Sequence, residues 1–312
     1  MERSSTVSCR ICGGEIAESF TLREMMYGTG ETFPYEQCGD CGTLQIVEVP
    51  TDLDRYYANN YYSFANTRLK LRQRLTERLM VALAKRGLPH RRKSAPQWVT
   101  MLPELSSNTR ILDIGCGGGA LLDKMADWGM RSLAGVDPFI EADINRPNGV
   151  SIRKMSLNAL RGQYDLIMMN HSLEHVPGPA AMLTDAKRLL APGGKLLVRI
   201  PVLGGPIWEA YKTNWVQLDP PRHLYSFTER GFRTLAESAG YRLTDSVYDS
   251  TGFALWGSEA INRGLHMNSP GVPGVTGPAV FTRGELAEFE RRIHRMNADG
   301  QSDQGCFLMQ AA

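Results

Sequence analysis

From about Pro96 onward, apolar residues come in short unbroken runs that alternate with stretches of helical period. Residues 110–115 (Arg-Ile-Leu-Asp-Ile-Gly) form one such run, the pattern of a strand buried on both faces. Residues 119–129 predict a helix, 132–137 a second strand, 150–153 a third and 164–170 a fourth. Residues 179–190 read as helical, and 195–200 as a fifth strand opened by the turn Pro192-Gly193-Gly194. Thr228 caps a helix over 229–239 that Gly240 stops. A sixth strand follows over 241–248, and 306–310 can form a last one. Strands alternating with helices imply an α/β fold with a mostly parallel sheet.

Ahead of this region the pattern differs. Leu71, Leu75 and Leu79 recur at i+4, and Ala82 and Leu83 extend the stripe, which predicts an amphipathic helix over about 68–86 that ends at Gly87 and Pro89. Between Arg68 and Lys93 lie ten Lys or Arg residues and one acid, Glu77. Such a run is either a solvated helix face or a footprint for phosphate. The tyrosines Tyr56, Tyr57, Tyr61 and Tyr62, with Phe64, precede it; they either close over an acceptor or pack the N-terminal segment onto the main domain, and packing is the simpler use. Residues 268–278, rich in Gly, Pro and Ser, read as a mobile loop. Three segments are expected: 1–50, a connector over 51–95, and 96–312.

Composition narrows the picture. In 312 residues the apolar share is 42%, the charged share 22% and the net charge +2, as in ordinary globular proteins and without global bias toward nucleic acid or membrane. No run approaches the roughly 20 apolar residues of a membrane helix, and the N-terminus lacks the apolar region of a signal peptide. A cytoplasmic location is expected, where paired cysteines usually bind metal. Four of the six cysteines form two pairs, Cys9-x-x-Cys12 and Cys38-x-x-Cys41, each followed by a glycine, Gly13 and Gly42. Four thiolates at this spacing suit a structural, tetrahedral Zn2+ in a zinc-ribbon-like module. A segment this short cannot bury enough apolar surface to fold alone.

The chemical signal lies after the first strand of the α/β region. Gly115, Gly117, Gly118 and Gly119 let the backbone turn tightly and approach a ligand. Asp137 follows 18 residues after Gly119, where a carboxylate can accept from both hydroxyls of a ribose. Asp113 stands two residues before the first glycine, a charge that suits a cationic amino-acid cofactor and repels a pyrophosphate. Ile111-Leu112-Asp113-Ile114-Gly115-Cys116-Gly117-Gly118-Gly119 resembles the first motif of class I S-adenosylmethionine-dependent methyltransferases. Val136-Asp137, 164–167, Leu173-Glu174-His175-Val176 and 190–196 match further motifs in order.

The resemblance implies a Rossmann-like seven-stranded sheet with an antiparallel last strand. It implies that Asp113, Gly115, Cys116, Gly117 and Gly119 line the methionine part of the cofactor, with Cys116 a packing residue. Asp137 would hold the ribose, Ser156 and Leu157 would flank the adenine, and Asn170 and His171 would close the site. A subgroup that includes the ubiquinone-biosynthesis O-methyltransferases carries Leu-Glu-His-Val at this place, with a metal-binding carboxylate where this chain has His171. Magnesium prefers oxygen ligands. Candidates for handling the acceptor are His175, oriented by Glu174, and the stretch after the fifth strand with Arg222, His223 and Tyr225. The base is His175 or His223, and Arg222 can hold a phosphate or carboxylate. The acceptor expected is a small molecule bearing a hydroxyl or activated carbon, such as a sugar or sugar nucleotide. Two alternatives stand beside it: an RNA methyltransferase gripping phosphate with the cysteine module and basic connector, and a non-catalytic, zinc-stabilised binding protein.

Overall fold

The computed structural model describes residues 8–57, 71–88 and 95–312, so Tyr61, Tyr62, Phe64 and the basic run at 90–93 lie outside the described residues. The chain forms two compact units that are not contiguous in sequence. One comprises residues 57–200, 236–247 and 306–312; the other comprises 1–56, 201–235 and 248–305. The 201–235 and 248–305 stretches thus cluster with the N-terminal residues and not with the rest of 96–312.

The first of these units is built on β4 (Arg110–Ile114), β5 (Ser132–Val136), β6 (Ile144–Asn145), β7 (Val150–Arg153), β8 (Tyr164–Asn170), β9 (Leu190–Pro201), β11 (Tyr241–Tyr248) and β12 (Gln304–Ala311). They form one sheet in the order β11-β12-β9-β8-β4-β5-β7-β6. β4, β5, β7, β8 and β9 run parallel to one another. Bonds from Ala312 to Gly240 and from Thr244 to Leu308 run in opposite sequence directions, so β11 and β12 are antiparallel. The expected seven strands are present, and the two-residue β6 adds an antiparallel eighth beyond β7. The expectation placed the start of β9 at Lys195; it begins at Leu190, which pairs with Tyr164 across a bulge. Helices α2 (Ala120–Trp128) and α3 (Pro179–Arg188) follow β4 and β8 as their periodicity predicts. Ile111, Leu122, Met125, Leu133, Met168 and Leu197 belong to one buried core.

Helix α1 (Leu71–Lys85) also belongs to this unit, but the leucine stripe faces outward. Leu75 and Leu79 are 59% and 56% exposed, and the buried face carries Glu77, Val81 and Ala84. The reason is polar: Glu77 accepts the indole N–H of Trp128 at 3.0 Å, and the aliphatic turn that follows packs on α2. Arg74 and Arg78 both reach Asp127, one through its carboxylate and one through its carbonyl.

In the other unit, β1 (Ile16–Arg23), β2 (Thr32–Cys38), β3 (Leu44–Ile46) and the short β10 (Tyr225–Ser226) make a four-stranded antiparallel sheet. Helices α4 (Gly205–Tyr211), α6 (Phe253–Asn262) and α7 (Arg283–Ala298) complete it, with α7 opened by a capping box between Thr282 and Glu285. The 268–278 segment packs where mobility was expected: Val272 is buried in a cluster with Met25, Ile261 and Phe281, and the Val280 amide closes the loop on the Gly271 carbonyl. Helix α5 (Glu229–Ser238) follows Thr228, whose hydroxyl accepts from the Gly231 amide at 2.9 Å.

Candidate active site and cysteine centre

The glycine loop leaves β4 at Ile114, crosses to α2, and is fixed by a carboxylate from the neighbouring strand. Asp137 follows β5 directly, and its Oδ2 accepts the Gly117 amide at 2.8 Å while its Oδ1 accepts the Phe139 amide at 2.8 Å. A buried carboxylate thereby holds both the loop and the strand end that follows it. Gly115 has φ +70°, and a Cβ there would stand 2.6 Å from the Ser172 Cβ, so only glycine fits both the turn and the approach of the β8 end. Cys116 packs its sulfur against Gly135, where a Cβ would lie within 2.5 Å of it. Burial and the charges of Asp113 and Asp137 push its thiol well above the ordinary range, so it is no nucleophile at neutral pH.

Asp113 is buried, and its Oδ1 has no hydrogen-bond partner among the described residues. Burial, and then the charge of Asp137, push its carboxyl up to about 8. An orphaned buried acid beside a glycine loop fits a ligand that brings a positive charge. After β7, Ser156 is exposed and bonds Asn158 at 2.7 Å, while Leu157 is buried.

The end of β8 carries the second cluster. His171 adopts φ +52°, a left-handed conformation costly for a non-glycine residue. Arg199 donates to His171 Nε2 at 2.8 Å and to Asn170 Oδ1 at 3.2 Å. Because the guanidinium can only donate, the ring hydrogen sits on Nδ1 and points to Glu174 Oε1 at 3.3 Å. Glu174 is buried. A relay from Arg199 through His171 thus supplies the cationic counterpart of Glu174, at the position where the resemblance implies a metal-binding carboxylate. His175 belongs to the same turn, with Nδ1 3.1 Å from the Tyr57 hydroxyl.

His223 and Tyr225 belong to the other unit. His223 is buried, and its Nδ1 donates to the Gln217 carbonyl at 2.7 Å. A carbonyl only accepts, so the neutral ring keeps its lone pair on Nε2. Tyr225 is enclosed by Phe227, stacked at 5.6 Å, and by Arg10, 5.1 Å from its ring centre. Burial pushes its phenol up, so it holds its proton. Arg222, a candidate anion binder from sequence, is fully buried and committed internally. It donates to both carboxylate oxygens of Asp219 at 3.0 Å, to Glu24 at 2.7 Å and to the Tyr56 carbonyl at 3.2 Å. Glu24 also accepts amides from Met26, Tyr27, Gly28 and Thr29, a hairpin nest that the sequence did not reveal.

The cysteine pairs converge as their spacing predicts. Ligand atoms of Cys9, Cys12, Cys38 and Cys41 all lie within 4.8 Å of one another, with Cys9–Cys41 at 3.7 Å and Cys12–Cys38 at 3.4 Å. Zinc–sulfur bonds of about 2.3 Å in a tetrahedron imply sulfurs about 3.8 Å apart, so the donor set fits. Each pair closes the same turn: Gly13 donates to the Cys9 carbonyl and Gly42 to the Cys38 carbonyl, both glycines having φ above +70°. The Ile11 and Cys41 amides point at the sulfurs of Cys9 and Cys38, each at 3.4 Å. All six cysteines of the chain are free of disulfides.

Comparison with known proteins bears chiefly on residues 87–246. Residues 87–246 match the methyltransferase domain family. Over 112 residues the chain is 33% identical to the ubiquinone biosynthesis O-methyltransferase of Pseudomonas paraeruginosa, covering 32% of this chain and 47% of that enzyme. The chain thus spans about half the length of the relatives it matches. A chain from the complex between the Haloferax volcanii Trm112 methyltransferase activator and its methyltransferase superposes with TM-score 0.47 at 14% identity, covering 85% of this chain and 99% of that one. An S-adenosylmethionine-dependent methyltransferase from Mesorhizobium loti gives TM-score 0.43 at 16% identity, covering 70% and 98%. No helix among the described residues is long and apolar enough to cross a membrane. With the ordered motifs, the parallel sheet and the glycine loop in place, this chain belongs to the methyltransferase domain family, whose S-adenosylmethionine-dependent members its motifs resemble.

Proposed function

We propose that the chain transfers a methyl group from S-adenosylmethionine to a small-molecule acceptor at a hydroxyl or activated carbon, such as a sugar or sugar nucleotide. The observation that carries this reading is the pairing of two buried acids around one glycine loop. Asp137 holds the loop amide of Gly117 and keeps further lone pairs, while Asp113 keeps an oxygen without a partner among the described residues. When bound, S-adenosylmethionine supplies an electrophilic methyl on a sulfonium. Asp113, Gly115, Cys116, Gly117 and Gly119 would hold its amino-acid part, Asp137 the ribose, Ser156 and Leu157 the adenine, and Asn170 and His171 the rim of the site. His175 would take the acceptor's proton, with Glu174 holding its turn, or His223 would do so with Tyr225 shaping the pocket. The methyl group would pass to the acceptor as its bond to sulfur is lost, with S-adenosylhomocysteine as the second product. The O-methyltransferase relatives favour a hydroxyl acceptor.

Cys9, Cys12, Cys38 and Cys41 would hold one structural Zn2+ in a module of about residues 1–50, with 51–95 as connector and 96–312 carrying the transferase motifs. An RNA acceptor is less well supported, because Arg74, Arg78 and Lys85 of the basic helix are engaged by Asp127 and by the Leu105 carbonyl. Calorimetric titration with S-adenosylmethionine and S-adenosylhomocysteine tests the donor site: micromolar binding that Asp137→Ala loses is expected. Absence of binding to folded, zinc-loaded protein would move the reading to a binding module, and salt-dependent RNA affinity would move it to an RNA enzyme.

A further inference from the structure

Tyr57 is held on two sides within its unit. Its ring lies parallel to Phe139, with 5° between planes and 6.2 Å between centroids. Its hydroxyl stands 3.1 Å from His175 Nδ1, and the two rings meet edge-on at 6.0 Å. Phe139 in turn follows Asp137 by two residues and gives its amide to that carboxylate at 2.8 Å. The contacts therefore run without a break from the acid that holds the glycine loop, through two aromatic rings, to the imidazole.

We infer that Tyr57 is a positioning residue: its hydroxyl oxygen accepts the Nδ1 hydrogen of His175, which places the ring's lone pair on Nε2 for the acceptor's proton. This rests on the reading of His175 as the base. Which nitrogen of a histidine carries the hydrogen is set by the bond the other one makes. A hydroxyl can serve as acceptor, and only that arrangement works in both protonation states. The Nδ1–H bond to Tyr57 persists when Nε2 gains a proton, and it strengthens because its donor becomes charged. The reverse arrangement, a phenol donating to Nδ1, would put the hydrogen on Nε2 and block that nitrogen as a base. The logic is that of the serine-protease triad, with a neutral oxygen in place of the carboxylate that orients the imidazole. Gln217 gives His223 the same tautomer through a carbonyl, which makes that ring an internal control.

The test is nitrogen-15 NMR of the histidine side chains in the full chain, with His175→Gln to assign the signals. In the wild type, His175 is expected to carry its hydrogen on Nδ1, and Tyr57→Phe to move most of the population to the Nε2–H form while His223 stays unchanged. Phe139→Leu, which keeps the hydroxyl but removes its stacked support, is expected to shift the population the same way to a smaller extent. A wild-type His175 with its hydrogen on Nε2, or no change in either variant, overturns the proposal. Titration with S-adenosylhomocysteine separates the two readings: the expected tautomers without its binding would remove the donor site and leave the role of Tyr57 standing.

Discussion

Replacing Asp113 by asparagine should stabilise the ligand-free protein, and increasingly so as pH rises. The acid sits near pH 8 in the fold, against an ordinary value of 3.8, because burial and then the Asp137 charge oppose ionisation. Between those values the unfolded chain gives up a proton that the folded chain keeps, so stability falls with rising pH at about 1.4 kcal/mol per unit. Below the unfolded value the two forms carry the same proton, and above about 8 the penalty is complete. The carboxamide of the variant cannot ionise, so the difference between variant and wild type should grow by roughly 4 kcal/mol from about pH 5 to pH 8 and then level off. Urea unfolding at a series of pH values measures it, and subtracting the two curves removes the titration of every other group. A difference that stays flat with pH would refute the reasoning. The same variant should bind S-adenosylmethionine at least tenfold more weakly, the usual exchange of function for stability at a binding site.

Arg222→Met should cost about 3–5 kcal/mol in urea unfolding, because Glu24 and Asp219 lose the buried cation they share. Gly115→Ala should abolish S-adenosylhomocysteine binding in calorimetry and destabilise the fold by about 1–3 kcal/mol, with Ser172→Gly relieving the clash but not the backbone strain. Purified protein should contain one zinc per chain by metal analysis, and Cys38→Ala should lose it and lower the melting temperature; retention of the metal by that variant would rule out the four-sulfur site.

The transferase sheet was legible because its signals are local. Its strands are short runs, apolar as at 110–114 and 164–170 or alternating with polar residues as at 150–153, and glycines such as Gly129, Gly193 and Gly240 mark turns between elements. The cysteine knuckles were legible for the same reason. Misreadings came where a distant partner decides. Periodicity put Leu75 and Leu79 inward, yet the indole of Trp128, 51 residues away from Glu77, turned the acid in. Arg222 suggested an anion site, but its partner Glu24 lies 198 residues earlier in the chain. Helix α7 was missed although Thr282 and Glu285 spell a capping box. The pairing of Tyr225 with Gln45 left no local trace at all.

That last pairing has a consequence in time. On the ribosome, β1 to β3 emerge about 180 residues before β10, the strand that completes their sheet. At roughly 5–20 residues per second the interval is about 10–35 s. During it the edge of β3 has no partner from its own chain, while both cysteine pairs are already outside. Zinc captured by those cysteines in that window would fix both cysteine turns while the β3 edge still waits for β10, so zinc supply would bear on the yield of folded protein as well as on its finished stability.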